Sequence, residues 1–173
     1  MKKVLFTAVL VLATVTLVAA EAPKKVLSTA DVDAFIANYD ALEEDLNSLE
    51  GDYEYLFASL NEDMNDESVT AGDMFTNLRM VKIPEEVQAV FKKHGLGSNG
   101  FEKMAVITAA YQSVEMEQQM NLYREQFKDS PEMQPYLEMA LEQMDSLKAS
   151  LHESDMAVVQ SRLDSLRTLF AAE

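Results

Sequence analysis

The sequence predicts an all-α protein, an antiparallel bundle of about four long helices with a short helical pair between the first helix and the long central one. Apolar side chains recur every three or four residues along most of the chain, and only a helix gathers such a series on one face. No alternating strand pattern follows the first 20 residues. With 173 residues, 48% of them hydrophobic, the chain is long and apolar enough to build one domain core.

The first 20 residues are typical of a secretory signal peptide. Lys2 and Lys3 precede an apolar run that ends in small residues at Ala20, where we expect cleavage, with Ala22 as the second choice. An uncleaved anchor is the competing interpretation, but the run is slightly short for a bilayer span and contains three threonines. We therefore expect a signal peptide over 1–20, a short tether over 21–28 and a single helical bundle domain over 29–173.

The first long helix is predicted from about Ala30 to about Met64, capped by Ser28 or Thr29. Its stripe continues through Gly51 without losing register, although a break into two helices at that glycine is the alternative. The residues of the stripe are Phe35, Tyr39, Leu42, Leu46, Leu49, Tyr53, Leu56 and Leu60.

A short helical pair is predicted next. Thr70 is placed to cap the first helix of the pair, and Pro84 is placed at the first position of the second. Gly95 follows His94 where a left-handed residue would end that second helix, and Leu96 would then fold back on its apolar face.

The second half of the chain is predicted to contain the remaining long helices. Asn99, with Glu102 three residues later, resembles a capping box for a helix from Gly100 to about Lys128. A further helix begins at Pro135. The last helix, lined by apolar residues from Met156 to Phe170, is out of register with the one before, which predicts a break between His152 and Asp155.

Composition excludes several function classes. The chain has no cysteine, which rules out disulfides, thiolate metal sites and a thiol nucleophile. The formal charge is −16, and −18 once the leader with its two lysines is removed, so nucleic acid is not an expected partner. Between Lys25 and Arg79 there are 14 acidic residues and no basic one. This acidic stretch indicates a solvated helix face or a docking surface for a basic partner.

A candidate anion site comprises Lys92, Lys93 and His94 together with Asn99, because the amides that begin a helix attract phosphate or carboxylate. The segment from Gly95 to Gly100 spells the dinucleotide fingerprint, but that motif requires a preceding strand, and here a helix precedes it. We therefore interpret its glycines as helix ends.

A candidate metal site comprises Met116, Met120 and His152, because thioether sulfur favours copper(I). The alternative is that these methionines fill an irregular bundle core. The sequence contains no HExxH, P-loop or GxSxG motif, and it gives no reason to expect a cofactor or a catalytic site.

These observations predict an exported, periplasmic or secreted bacterial protein with no stable membrane span after cleavage. Its expected role is non-enzymatic binding of a protein partner in the cell envelope, with a chaperone-like holder as one version. The alternative function is a carrier of a small ligand or a metal, copper or a divalent cation, in the bundle core.

Overall fold

The computed structural model describes residues 23–49 and 69–171. These two ranges contain helices and no strand, so the all-α prediction is confirmed for them. None of their helices is both long and apolar enough to cross a bilayer. The helices are α1 (Thr29–Asn47), α2 (Ala71–Met80), α3 (Glu85–Lys93), α4 (Gly100–Gln126), α5 (Gln134–Ala149), α6 (Glu153–Gln160) and α7 (Leu163–Phe170).

The 27-residue helix α4 is the centre of the fold, and it packs against α1, α2, α3, α5 and α6. Helix α1 also packs against α3, α6 and α7, so the first and last helices are neighbours. Burial of apolar side chains at these contacts is the main force that holds the helices together. The most deeply buried large apolar residues are Leu27, Phe35, Leu42, Phe91, Leu96, Ile107 and Leu166.

Three predicted helix ends are confirmed. Ser28 and Thr70 form capping boxes with Asp31 and Asp73, in which each hydroxyl oxygen accepts a backbone N–H that would otherwise lack a partner. Gly95 has a φ of 82°, and the N–H of Leu96 donates to the carbonyl of Phe91. This is the hydrogen-bond pattern of a helix ended by a left-handed glycine.

Helix α1 ends earlier than predicted. It stops at Asn47, four positions before Gly51, and its last turn carries Glu44 and Asp45 with no basic residue. Negative charge at a helix C-terminus opposes the helix dipole, which favours an early end. The rest of the predicted helix, including Gly51, lies outside the described residues.

Two further predictions are wrong in detail. The last predicted helix is divided into α6 and α7, because Arg162 leaves helical geometry, with φ −122° and ψ 13°, and forms two hydrogen bonds with Asp33 of α1. Asn99 makes no capping bond with its side chain, and the carboxylate of Glu102, which a capping box would direct to the Asn99 N–H, accepts two hydrogen bonds from Arg79. In both cases a contact distant in sequence replaces the local one. The chain does break before α6, over residues 150–152, slightly earlier than the predicted break between His152 and Asp155.

Candidate functional site

The residues of the predicted anion site lie where α3 meets α4. Lys92 and Lys93 end α3, His94 is the residue that caps it, and Asn99 precedes α4. Lys92 and Asn99 are exposed, whereas His94 is only 8% exposed. Sequence reasoning thus located a cluster of cations at one turn of the fold.

A carboxylate of the chain itself contacts this cluster. Asp45, near the end of α1, accepts from the Lys93 ammonium at 2.5 Å, and the same oxygen lies 2.6 Å from Nε2 of His94. The bond from Lys93, followed by the contact with His94, holds the pKa of Asp45 below its ordinary value. Lys93 and His94 therefore attach α1 to α3.

Two more ion pairs secure α1 in the same way. Lys103 of α4 donates to Asp31 at 2.6 Å, and Arg162 donates to Asp33 at 2.6 Å. Burial raises the pKa of Asp31, but hydrogen bonds from Lys103 and Ser28 outweigh it and leave that pKa lowered. The bond from Arg162 lowers the pKa of Asp33. Three acidic residues of the stretch between Lys25 and Arg79 thus form ion pairs with basic side chains from elsewhere in the fold.

The residues of the predicted metal site lie on α4 and at the start of α6. Met116 is half-buried and Met120 is buried on α4, while Nδ1 of His152 accepts from the N–H of Ser154 as the cap of α6. Among the described residues, no group of three or more His, Asp or Glu side chains is arranged to hold a metal ion.

Two contacts show how these stretches face each other. The hydroxyl of Ser113 lies 3.6 Å from the sulfur of Met156, and Lys148 forms an ion pair with Glu117 at 2.8 Å. In the sequence, Met116 lies between Ser113 and Glu117 of α4, and His152 lies between Lys148 and Met156. The fold therefore places Met116 and His152 on facing stretches of chain.

The end of α4 forms an exposed surface that the sequence did not reveal. All residues from 121 to 126 are exposed, and a groove of about 560 Å³ opens beside them. Leu122 is 71% exposed and Tyr136, near the start of α5, is 66% exposed. The residues that line the groove are Asn121, Arg124, Glu125, Lys128 and Gln134.

This surface, which we call the α4 tip (residues 121–128 with Gln134 and Tyr136), carries two cations. Neither Arg124 nor Lys128 forms an ion pair within the described part of the chain. Tyr123 lies at the same end of α4 and is 36% exposed.

A buried carboxylate is the second feature that sequence reasoning missed. Asp155, in the first turn of α6, is 1% exposed and accepts hydrogen bonds from the backbone N–H groups of Val26 and Leu27. The bonded positions are 129 and 128 residues apart in sequence, so local pattern could not connect them. In the sequence, Asp155 stood out only as an acidic residue in the first turn of a helix.

Comparison with protein-family models, with curated proteins and with solved structures finds no match for this chain.

Proposed function

We propose that this chain is an exported, non-enzymatic binding protein of the bacterial envelope, and that it uses the α4 tip to bind a protein partner. The observation that supports this function most directly is the tip itself. Leu122 and Tyr136 are large apolar side chains left largely in water, and Arg124 and Lys128 line the groove at the same end of α4. Exposed apolar surface rimmed by polar groups is typical of interaction sites.

The chemistry of the tip indicates the kind of partner. A partner surface with carboxylates would complement Arg124 and Lys128, and apolar side chains would cover Leu122. Glu125 also lines the groove, so residues 121–128 carry a net charge of +1, in a chain that is otherwise strongly acidic. An acidic partner is therefore repelled less at the tip than by the acidic stretch.

Site-specific crosslinking tests this proposal. A photoreactive amino acid at position 122 is expected to give a defined crosslinked product in the envelope fraction. The same group at Met80, which is 77% exposed on α2, provides a matched control. The double variant Arg124→Glu, Lys128→Glu is expected to abolish the product. Identical products from positions 122 and 80, or a product unaffected by the charge reversal, would contradict the proposal.

A metal carrier is the second candidate function. It is favoured by two contacts, Ser113 with Met156 and Lys148 with Glu117, which join the stretches of chain that contain Met116 and His152. In neutral His152, Nδ1 accepts the Ser154 N–H and the ring proton lies on Nε2, so Nε2 would bind a metal only after that proton moves to Nδ1 and the cap hydrogen bond is lost. A thioether and an imidazole together suit copper(I).

Titration with copper(I) against a competing chelator tests this candidate. One bound equivalent is expected, and Met116→Leu should remove it while Met80→Leu should not. His152→Asn retains a side-chain acceptor for the cap and should also remove binding. Copper uptake that is equal in all four proteins would exclude the site.

A further inference from the structure

The carboxylate of Asp155 is buried, and it has no cationic partner among the described residues. Its oxygens accept from the N–H of Val26 at 2.9 and 3.2 Å and from the N–H of Leu27 at 2.8 Å. None of the Lys, Arg or His side chains in residues 23–49 and 69–171 forms an ion pair with it. Buried carboxylates are normally paired with a cation, because transfer of a lone charge out of water is costly.

The residues just before these amides suggest where a cation would come from. Lys24 and Lys25 are both exposed and directly precede Val26. Two adjacent exposed lysines form a recognition site for a lysine-specific endopeptidase. Hydrolysis after Lys25 would place a new positive charge on the nitrogen of Val26, the atom that already lies within 3.2 Å of both carboxylate oxygens.

We propose that the Lys25–Val26 bond is a proteolytic processing site and that Asp155 receives the new N-terminal ammonium of Val26. A lysine-specific endopeptidase catalyses the step with water as co-substrate. The C–N bond breaks, the hydroxyl of water joins the carbonyl carbon of Lys25 to give a carboxylate, and the Val26 nitrogen takes up protons as an ammonium. The residues up to Lys25 leave with that carboxylate.

The packing around Val26 sets the order of events. The side chain of Leu27 is 1% exposed, so a protease cannot bind residues on both sides of the bond while this segment is docked. Cleavage therefore occurs while the segment is detached. Afterwards it docks again with a charged donor, and charge-assisted hydrogen bonds are roughly twice as strong as neutral ones. Processing thus fixes the N-terminal segment in place.

Controlled cleavage of the purified protein tests the stabilising step. A Lys82→Gln, Lys128→Gln background removes the exposed lysines in the loop before Pro84 and in the turn after α4, which leaves Lys24 and Lys25 as the exposed lysines outside helices in the described residues. Brief treatment with a lysine-specific endopeptidase should yield a chain that begins at Val26, as measured by intact mass. Its thermal midpoint is expected to rise by about 3 °C over that of the uncleaved chain.

Two variants serve as controls. Lys24→Gln, Lys25→Gln should resist cleavage and keep the uncleaved midpoint, because both side chains lie outside the contact with Asp155. Asp155→Asn keeps an acceptor without the charge, and cleavage should give it no rise. An equal rise in Asp155→Asn, no rise in the parent chain, or no cleavage at Lys25 would overturn the proposal.

A second measurement does not depend on the folding of Asp155→Asn. In the cleaved parent chain, an acylating reagent should modify the Val26 amine at least about tenfold more slowly than in urea, because the ion pair keeps it protonated. Equal rates would overturn the pairing. N-terminal sequencing of the protein from cells of its source should give Val26, and a sole N-terminus at or before Lys25 would overturn the processing step.

Discussion

Gly72 lets α2 approach α5 more closely than a larger residue would allow. A Cβ atom at this position would lie 2.5 Å from the backbone oxygen of Ser146 and 2.7 Å from its hydroxyl. The first distance involves backbone, which cannot rotate away as a side chain can. No local pattern signalled this requirement, since Gly72 lies in an ordinary helical stretch.

The variant Gly72→Ala is expected to lower the free energy of unfolding by about 1–3 kcal/mol, because the two helices must separate to admit the methyl group. The higher helix propensity of alanine offsets only part of that loss. Urea unfolding followed by circular dichroism measures the change. Met80→Ala, an exposed position in the same helix, should shift the value by less than about 0.5 kcal/mol. A Gly72→Ala protein as stable as the parent would show that the contact is not tight in solution.

Thr70 combines a helix cap with a tertiary contact. Its hydroxyl oxygen accepts one hydrogen bond from the backbone N–H of Asp73 and another from the hydroxyl of Ser146 at 2.8 Å. Gln143 adds to this end of α2 by accepting the N–H of Ala71 at 2.9 Å. The N-terminus of α2 is thus satisfied partly by itself and partly by α5.

Thr70→Ala is expected to destabilise the fold by about 1–2 kcal/mol, because it removes the cap and leaves the Ser146 hydroxyl without its acceptor. Thr70→Ser retains the hydroxyl and should recover most of that loss. Amide hydrogen exchange should accelerate mainly in α2, which locates the effect. If serine is as destabilising as alanine, the methyl group of Thr70 and not its hydroxyl carries the stability.

At the scale of elements, the sequence was most informative where the signal was local. Ser28, Thr70 and Gly95 marked helix ends correctly, because each acts on backbone groups within five residues. It failed where a distant partner decided the outcome, as when Arg162 turned toward Asp33 and divided the last helix. The same contrast between local signals and distant partners applies to the candidate site. Lys93 and His94 were visible in the sequence, but the carboxylate that both contact belongs to Asp45, which lies 49 positions from His94.

At the scale of the whole molecule, basic side chains of the same chain neutralise part of the negative charge of the acidic stretch between Lys25 and Arg79. Asp31, Asp33 and Asp45 each hold a cation from another element, and each has a lowered pKa. A carboxyl group with a lowered pKa in the folded state stabilises the fold above the pKa of the unfolded chain, near 3.9. That stabilisation is lost as pH falls through the pKa that the carboxyl group has in the folded protein.

We therefore expect the thermal midpoint to change little down to about pH 5 and to fall steeply below about pH 4. Asp45→Asn should lower the midpoint at pH 7 and make the acid-side fall shallower. Asp40→Asn, at an exposed position of the same helix, is the matched control and should leave the slope unchanged. Thermal melts between pH 7 and pH 3 measure both effects. Equal slopes for the parent and Asp45→Asn would contradict this account of the charge.

The ring of Phe170 in α7 packs against three other aromatic rings, with centroids no more than 6.4 Å apart. These are Phe35 and Tyr39 of α1 and Tyr111 of α4. The start of the described chain therefore completes its aromatic packing only with residues made more than 130 positions later. During synthesis, the rings of Phe35 and Tyr39 lack this part of their packing until the chain through α7 has left the ribosome. A nascent chain that stalls before α7 would expose those rings to the proteases and holdases that inspect unfinished proteins.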